Sequence, residues 1–110
     1  MTHGNAAERL LCPNVLAEPT EPDGDSAPLA TSSITLTSAV ASEVGLWEAG
    51  PGTDTDIEID EVFLVLAGAG TVTFEDGSSL ALRPGVVVRL VAGDRTTWTI
   101  TDRLRKLYLA

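Results

Sequence analysis

Between Asp60 and Gly93 the chain reads DEVFLVLAGAGTVTFEDGSSLALRPGVVVRLVAG, and turn residues recur too often for a helix to fit. Asp60–Leu66 is apolar from Val62 onward, which suits a strand buried on both faces. Gly68 and Gly70 break it, and Thr71–Phe74 resumes with β-branched and aromatic residues. Glu75-Asp76-Gly77-Ser78 is a hairpin turn, because Asp-Gly accepts positive φ at both central positions. Ser79–Leu82 returns, Arg83-Pro84-Gly85 turns again, and Val86–Val91 is a further strand closed by Ala92-Gly93-Asp94. Strands this short and this closely spaced predict an antiparallel sandwich or barrel.

The flanks extend the pattern. Ser33–Val40 alternates as a half-buried strand. Glu43–Glu48 sets Val44, Leu46 and Glu48 on one face against Gly45, Trp47 and Ala49. Ala49-Gly50-Pro51-Gly52 is a strong turn. Thr53–Ile59 alternates strictly, with Asp54, Asp56, Glu58 and Asp60 opposite Thr55, Ile57 and Ile59. A regular strand would put Glu61 with Ile57 and Ile59, and a bulge would reverse that. Thr96–Thr101 is a threonine-rich strand, Thr101-Asp102 a turn, and Leu104–Leu109 the closing strand with Leu104, Lys106 and Tyr108 on one face. Residues 1–32, with Pro13, Pro19, Pro22 and Pro28 among Glu, Asp, Ala and Ser, have the composition of an arm. The expected domain is therefore 33–110. At 110 residues the whole chain is large enough to bury one core without staples.

A net charge of −9 argues against a nucleic-acid surface and against anionic membranes. The acidic cluster Asp54, Asp56, Glu58, Asp60 and Glu61 needs offsetting charge, for which Arg95, Arg103, Arg105 and Lys106 are available across a sheet or a dimer interface; solvated faces are the plain alternative. Cys12 is the only cysteine and His3 the only histidine, so neither a disulfide framework nor a histidine-based nucleophilic constellation exists, and both residues read as inert. No apolar run spans a bilayer, and the first residues lack the pattern of a signal peptide, which makes a cytoplasmic location the expectation.

The residues Gly45-Leu-Trp-Glu48 to Gly52, Asp60-Glu-Val-Phe-Leu-Val-Leu-Ala-Gly68, Arg83-Pro-Gly85, Ala92-Gly93, Thr97-Trp98 and Arg105-Lys106-Leu-Tyr108 resemble the cupin superfamily. Within it, the chain looks like small single-domain cupins related to ethanolamine-utilisation and ureidoglycine aminohydrolase cupins, over roughly residues 33–109. The resemblance implies an all-β double-stranded β-helix, a jelly-roll barrel with a pocket at one end. It also implies metal-ligand positions. The two histidines of the first motif fall on Asp54 and Asp56, its glutamate on Glu61, and the third histidine on Thr96. Without imidazole a transition-metal cofactor is not expected; manganese, magnesium or calcium stays open should the carboxylates converge.

A barrel turns alternate residues inward. The expected pocket set is Trp47, Glu48, Glu61, Phe63, Arg89, Thr96 and Trp98, with Glu61 as a general base and Arg89 as a carboxylate clamp. Outward-facing Glu48 and Arg89, and tryptophans that serve only the core, are the open alternatives. Three functions follow. The chain binds a small polar metabolite without a strong metal site; or it is a non-catalytic homodimeric module; or, third, it is a metalloenzyme using Asp54, Asp56 and Glu61.

Overall fold

The computed structural model describes residues 6–25, 28–39 and 43–110; His3 and Val40 lie outside them. Among the described residues one short helix, α1 (Ala6–Arg9), precedes eight strands: β1 (Glu21–Pro22), β2 (Ser32–Thr37), β3 (Val44–Ala49), β4 (Gly52–Ile57), β5 (Glu61–Phe74), β6 (Ser79–Leu82), β7 (Val87–Leu90) and β8 (Arg95–Leu109). All pairings are antiparallel. This is the all-β jelly-roll expected from the sequence. Among the described residues no helix is long and apolar enough to cross a membrane.

Two long strands carry the architecture. β5 and β8 pair from Val62↔Leu109 to Phe74↔Thr96. The Leu104–Leu109 end of β8 also pairs with β3, and the Arg95–Ile100 end pairs with β4. β5 likewise pairs with β7 near its start and with β6 near its end. Each long strand thus changes partners along its length and turns a corner within one continuous eight-stranded sheet. The expected break at Gly68 and Gly70, and the expected turn at Thr101-Asp102, are instead bends within continuous strands. Register shifts between Val65 and Gly70 absorb the bend. Glycine permits it. Gly68 has φ +90°, and a Cβ there would lie 2.1 Å from the Arg103 carbonyl oxygen. One at Gly70 would meet the Thr99 carbonyl oxygen at 2.5 Å.

The β5–β6 hairpin turns on Asp76, which accepts from the Ser78 backbone N–H and hydroxyl; these bonds hold its carboxyl below the ordinary value. The rolled sheet closes over Phe63, Val65, Val72, Leu82, Leu90, Trp98, Ile100 and Leu104, all buried.

Arm residues cross the outer face of β3 and β8, tied by charge. Glu48 lies between two guanidiniums, Arg103 Nε at 3.2 Å and Arg105 Nη2 at 3.0 Å. Arg105 also donates to the Val15 carbonyl at 2.9 Å, Arg103 to the Ser32 hydroxyl at 3.1 Å, and the Thr20 hydroxyl to Glu48 at 3.0 Å.

Two outcomes are expected. Gly85, at φ +97°, has open space beside it, so Gly85→Ala carries only the backbone penalty of roughly 1–3 kcal/mol. Gly68→Ala adds a backbone collision and should unfold at markedly lower denaturant; urea titration of both variants measures the difference. Glu48→Ala should cost about 3 kcal/mol, because it leaves Arg105 half-buried without its carboxylate. The same variant should release the arm to limited proteolysis ahead of the barrel.

Candidate functional site

Strand register decides what faces the interior. Along β8 the residues Thr96, Trp98, Ile100, Leu104 and Lys106 are buried, and Tyr108 is half-buried on the same face. Trp47 pairs across β3 with Lys106, Lys106 pairs with Val65, and Tyr108 pairs with Phe63. Antiparallel partners share a face, so these side chains meet.

At their meeting point is the Lys106 ammonium. Its Nζ donates to Glu61 Oε2 at 2.6 Å, and the two side chains are only 6% and 11% exposed. Three rings surround the nitrogen, with centroids at 4.5 Å (Phe63), 4.6 Å (Trp47) and 5.0 Å (Trp98). The rings also pack on each other, Trp47 and Phe63 each lying 5.6–5.7 Å from Trp98. Burying a lone ammonium would cost several kcal/mol. The carboxylate and the negative ring faces offset that cost, each desolvated ring by about 2 kcal/mol.

Above this floor opens a cavity of about 390 Å³ whose lining includes Glu43, Trp47, Glu58, Glu61, Trp98, Lys106 and Tyr108. Glu58 is buried, and its Oε2 accepts from the Thr96 hydroxyl at 2.6 Å and from the Trp98 indole N–H at 2.9 Å. Tyr108 donates to Glu43 Oε2 at 2.8 Å. Burial first, then that hydrogen bond and the charge of Glu43, push the Tyr108 hydroxyl up to about 12. Ile57 and Ile59 flank the mouth, each more than half exposed. A larger depression, about 600 Å³, lies along Thr55, Thr73, Glu75, Arg95 and Thr97. Its one ion pair, Arg95–Glu75, is on the surface, so the smaller cavity is the better candidate on chemical grounds.

The expected pocket residues therefore divide. Trp47, Glu61, Phe63, Thr96 and Trp98 gather at or beneath the cavity. Glu48 and Arg89 do not. Glu48 pairs with Arg105 and Ser32 on the outer face, where the arm covers it. Arg89 pairs with Val62 and is exposed. Both sit one residue out of phase with the inward set; the charge of Glu48 is met by Arg103 and Arg105 of β8, and Arg89 lies in solvent. Of the basic residues expected to offset the acidic cluster, Lys106 alone does so; Arg103 and Arg105 serve Glu48, and Arg95 serves Glu75.

Glu43, Glu58, Lys106 and Tyr108 were missed as site residues. Period-two alternation already placed Lys106 and Tyr108 with buried Leu104. Glu58 was hidden because strict alternation assigned it to a solvated acidic face. The strand in fact stops at Ile57, and the chain is held at this point by Glu58 N–H to Asp94 O at 2.8 Å and Gly93 N–H to Glu58 O at 2.9 Å. That break brings Glu58 and Glu61 to one cavity.

The metal-ligand positions do not make a metal site. Asp54 and Asp56 each accept from the next backbone N–H at 2.8 Å. Thr96 donates to Glu58, and Glu61 is held by Lys106. Among the described residues no three His, Cys, Asp or Glu side chains converge.

The sequence has one tyrosine, so tyrosinate absorbance reports Tyr108 alone. Its folded-state pKa lies above the ordinary value near 10, so its contribution to stability is complete below pH 10 and lost as pH rises from about 10 to about 12. Ultraviolet titration of the folded protein should show a midpoint near 12, and Glu43→Gln should bring it down.

A family model for the EutQ-like cupin domain matches residues 37–108. Among solved structures, ethanolamine utilization protein Q from Salmonella typhimurium LT2 is 20% identical, covering 76% of this chain and 71% of that one at a TM-score of 0.62. The Clostridium difficile EutQ protein is 17% identical over 80% of this chain and 72% of that one, TM-score 0.65. A DUF861-family protein of unknown function from Pseudomonas syringae pv. tomato is 26% identical over 86% of this chain but 45% of that longer one, TM-score 0.72. No curated protein is significantly similar in sequence.

Proposed function

Starting from a chain that belongs to the EutQ-like cupin family, we propose that it binds a small polar metabolite in the cavity above Lys106, without a transition metal. The observation that carries this reading is a cavity of about 390 Å³ whose polar groups are already positioned. Glu58 is held by Thr96 and Trp98, and Tyr108 by Glu43, so binding costs little side-chain ordering. The volume suits a small metabolite. Trp47, Trp98, Ile57 and Ile59 supply apolar walls. Glu43, Asp56, Glu58 and Glu61 against Lys106 leave the lining negative, so amines and polyols are favoured over organic acids. The oxygen of Glu61 that faces Lys106 is engaged, which supports binding over proton abstraction. The acidic chain is a poor match for nucleic acid or an anionic membrane.

A second reading, a homodimer, rests on the outer face of the β3–β8–β5–β7 sheet. Val62, Val87 and Leu109 are exposed there, and Val62 is the cross-strand neighbour of both Leu109 and Arg89. Light scattering at high protein concentration tests it: a monomer removes this reading.

Thermal-shift screening tests the first. A true ligand at a hundredfold excess over Kd stabilises by about 2.7 kcal/mol, and Glu58→Gln should abolish the shift. Failure of every small amine, polyol and acid to raise the Tm would sink the proposal. Metal analysis of gently purified protein should find transition metal well below one equivalent.

A further inference from the structure

The resemblance places a metal ligand at Glu61, yet this carboxylate faces a side chain of its own protein. We propose that the Lys106 ammonium is a built-in cation filling a carboxylate-and-aromatic box formed by Glu61 and three rings, and that the box without its lysine is a receptor for a small primary ammonium ion. This concerns the cavity floor and holds whether or not the space above it takes a metabolite.

Three independent observations converge. Lys106 is the only lysine in the sequence; the six other basic residues are arginines. A delocalised guanidinium is too large and planar for a site closed by three rings, whereas an ammonium is a compact point charge. The nitrogen is enclosed, with Glu61 at 2.6 Å and the centroids of Phe63, Trp47 and Trp98 within 5.0 Å. A carboxylate combined with aromatic faces is the donor set that recognises organic ammonium groups. Finally, the other family metal positions are engaged elsewhere: Thr96 by Glu58, and Asp54 and Asp56 by adjacent backbone N–H groups. Glu61 is thereby left with a single cationic partner, and the tether is strand β8 itself.

Lys106→Ala removes a propylammonium fragment. The variant should melt lower than the wild type, and n-propylammonium chloride should raise its Tm above the effect of sodium chloride at equal ionic strength and of n-propanol at equal concentration. The rescue should exceed whatever n-propylammonium does to the wild type, and Glu61→Gln in the Lys106→Ala background should erase that excess. Equal rescue by propanol would mean a merely apolar hole and would overturn the proposal, as would absence of rescue in folded K106A. Should K106A not fold, the wild type decides. Reductive methylation followed by peptide mapping should modify Lys106 roughly tenfold or more slowly in the folded protein than in urea; equal rates overturn the proposal. Manganese or nickel that raises the Tm of the wild type but not of Glu61→Gln would overturn it too, since Glu61 would then be free to ligate.

Discussion

Everything in this molecule depends on two strands that remain paired while bending together. The β5–β8 ladder runs from Val62↔Leu109 to Phe74↔Thr96 across a bend in the one sheet. Only a residue without Cβ tolerates the approach of Gly68 to the Arg103 carbonyl, and register shifts take up the excess length. Because each strand pairs with other strands on both sides of the bend, one ladder closes the roll and sets the phase of every inward side chain. The core, the cavity and the arm-binding face all inherit that phase.

β8 then distributes charge by alternation. Arg105 and Lys106 are neighbours, and the pleat sends them to opposite sides. Arg105 turns outward to Glu48 and the Val15 carbonyl and fastens the arm. Lys106 turns inward to Glu61 and the aromatic rings and closes the cavity floor. Two ion pairs, whose cations are adjacent in sequence, thus do unrelated work. Their geometry also bears on how a chain with nine excess negative charges keeps acidic residues at a pocket: Glu61 is paired with the only lysine, and buried Glu58 accepts from the Thr96 hydroxyl and the Trp98 indole.

The strand pattern was legible because it is local chemistry. Asp76-Gly77 and Pro84-Gly85 mark turns by backbone preference, and alternation along Leu104–Leu109 sorts faces without any partner. The same rules misread the corners. Gly68, Gly70 and Thr101-Asp102 look like strand ends, since nothing in a local window distinguishes a bend carried by a cross-strand neighbour from a break. Glu48 and Arg89 looked like pocket residues because a charge in an apolar strand invites a partner inside. Their actual positions, one beside the arm residues Val15 and Thr20 and one in solvent, depend on segments far away in the chain.

By itself the amino-acid order determined an all-β roll, an acidic chain with no histidine in the barrel, and hence a pocket without imidazole ligands. Tertiary structure alone decided that Glu61 faces a lysine, that Glu58 joins the cavity, and that three rings from β3, β5 and β8 enclose one nitrogen. The physical reason is range. Turn preference and alternation act over a few residues, whereas an ion pair such as Lys106–Glu61 joins positions 45 residues apart and exists only once the ladder between them has formed.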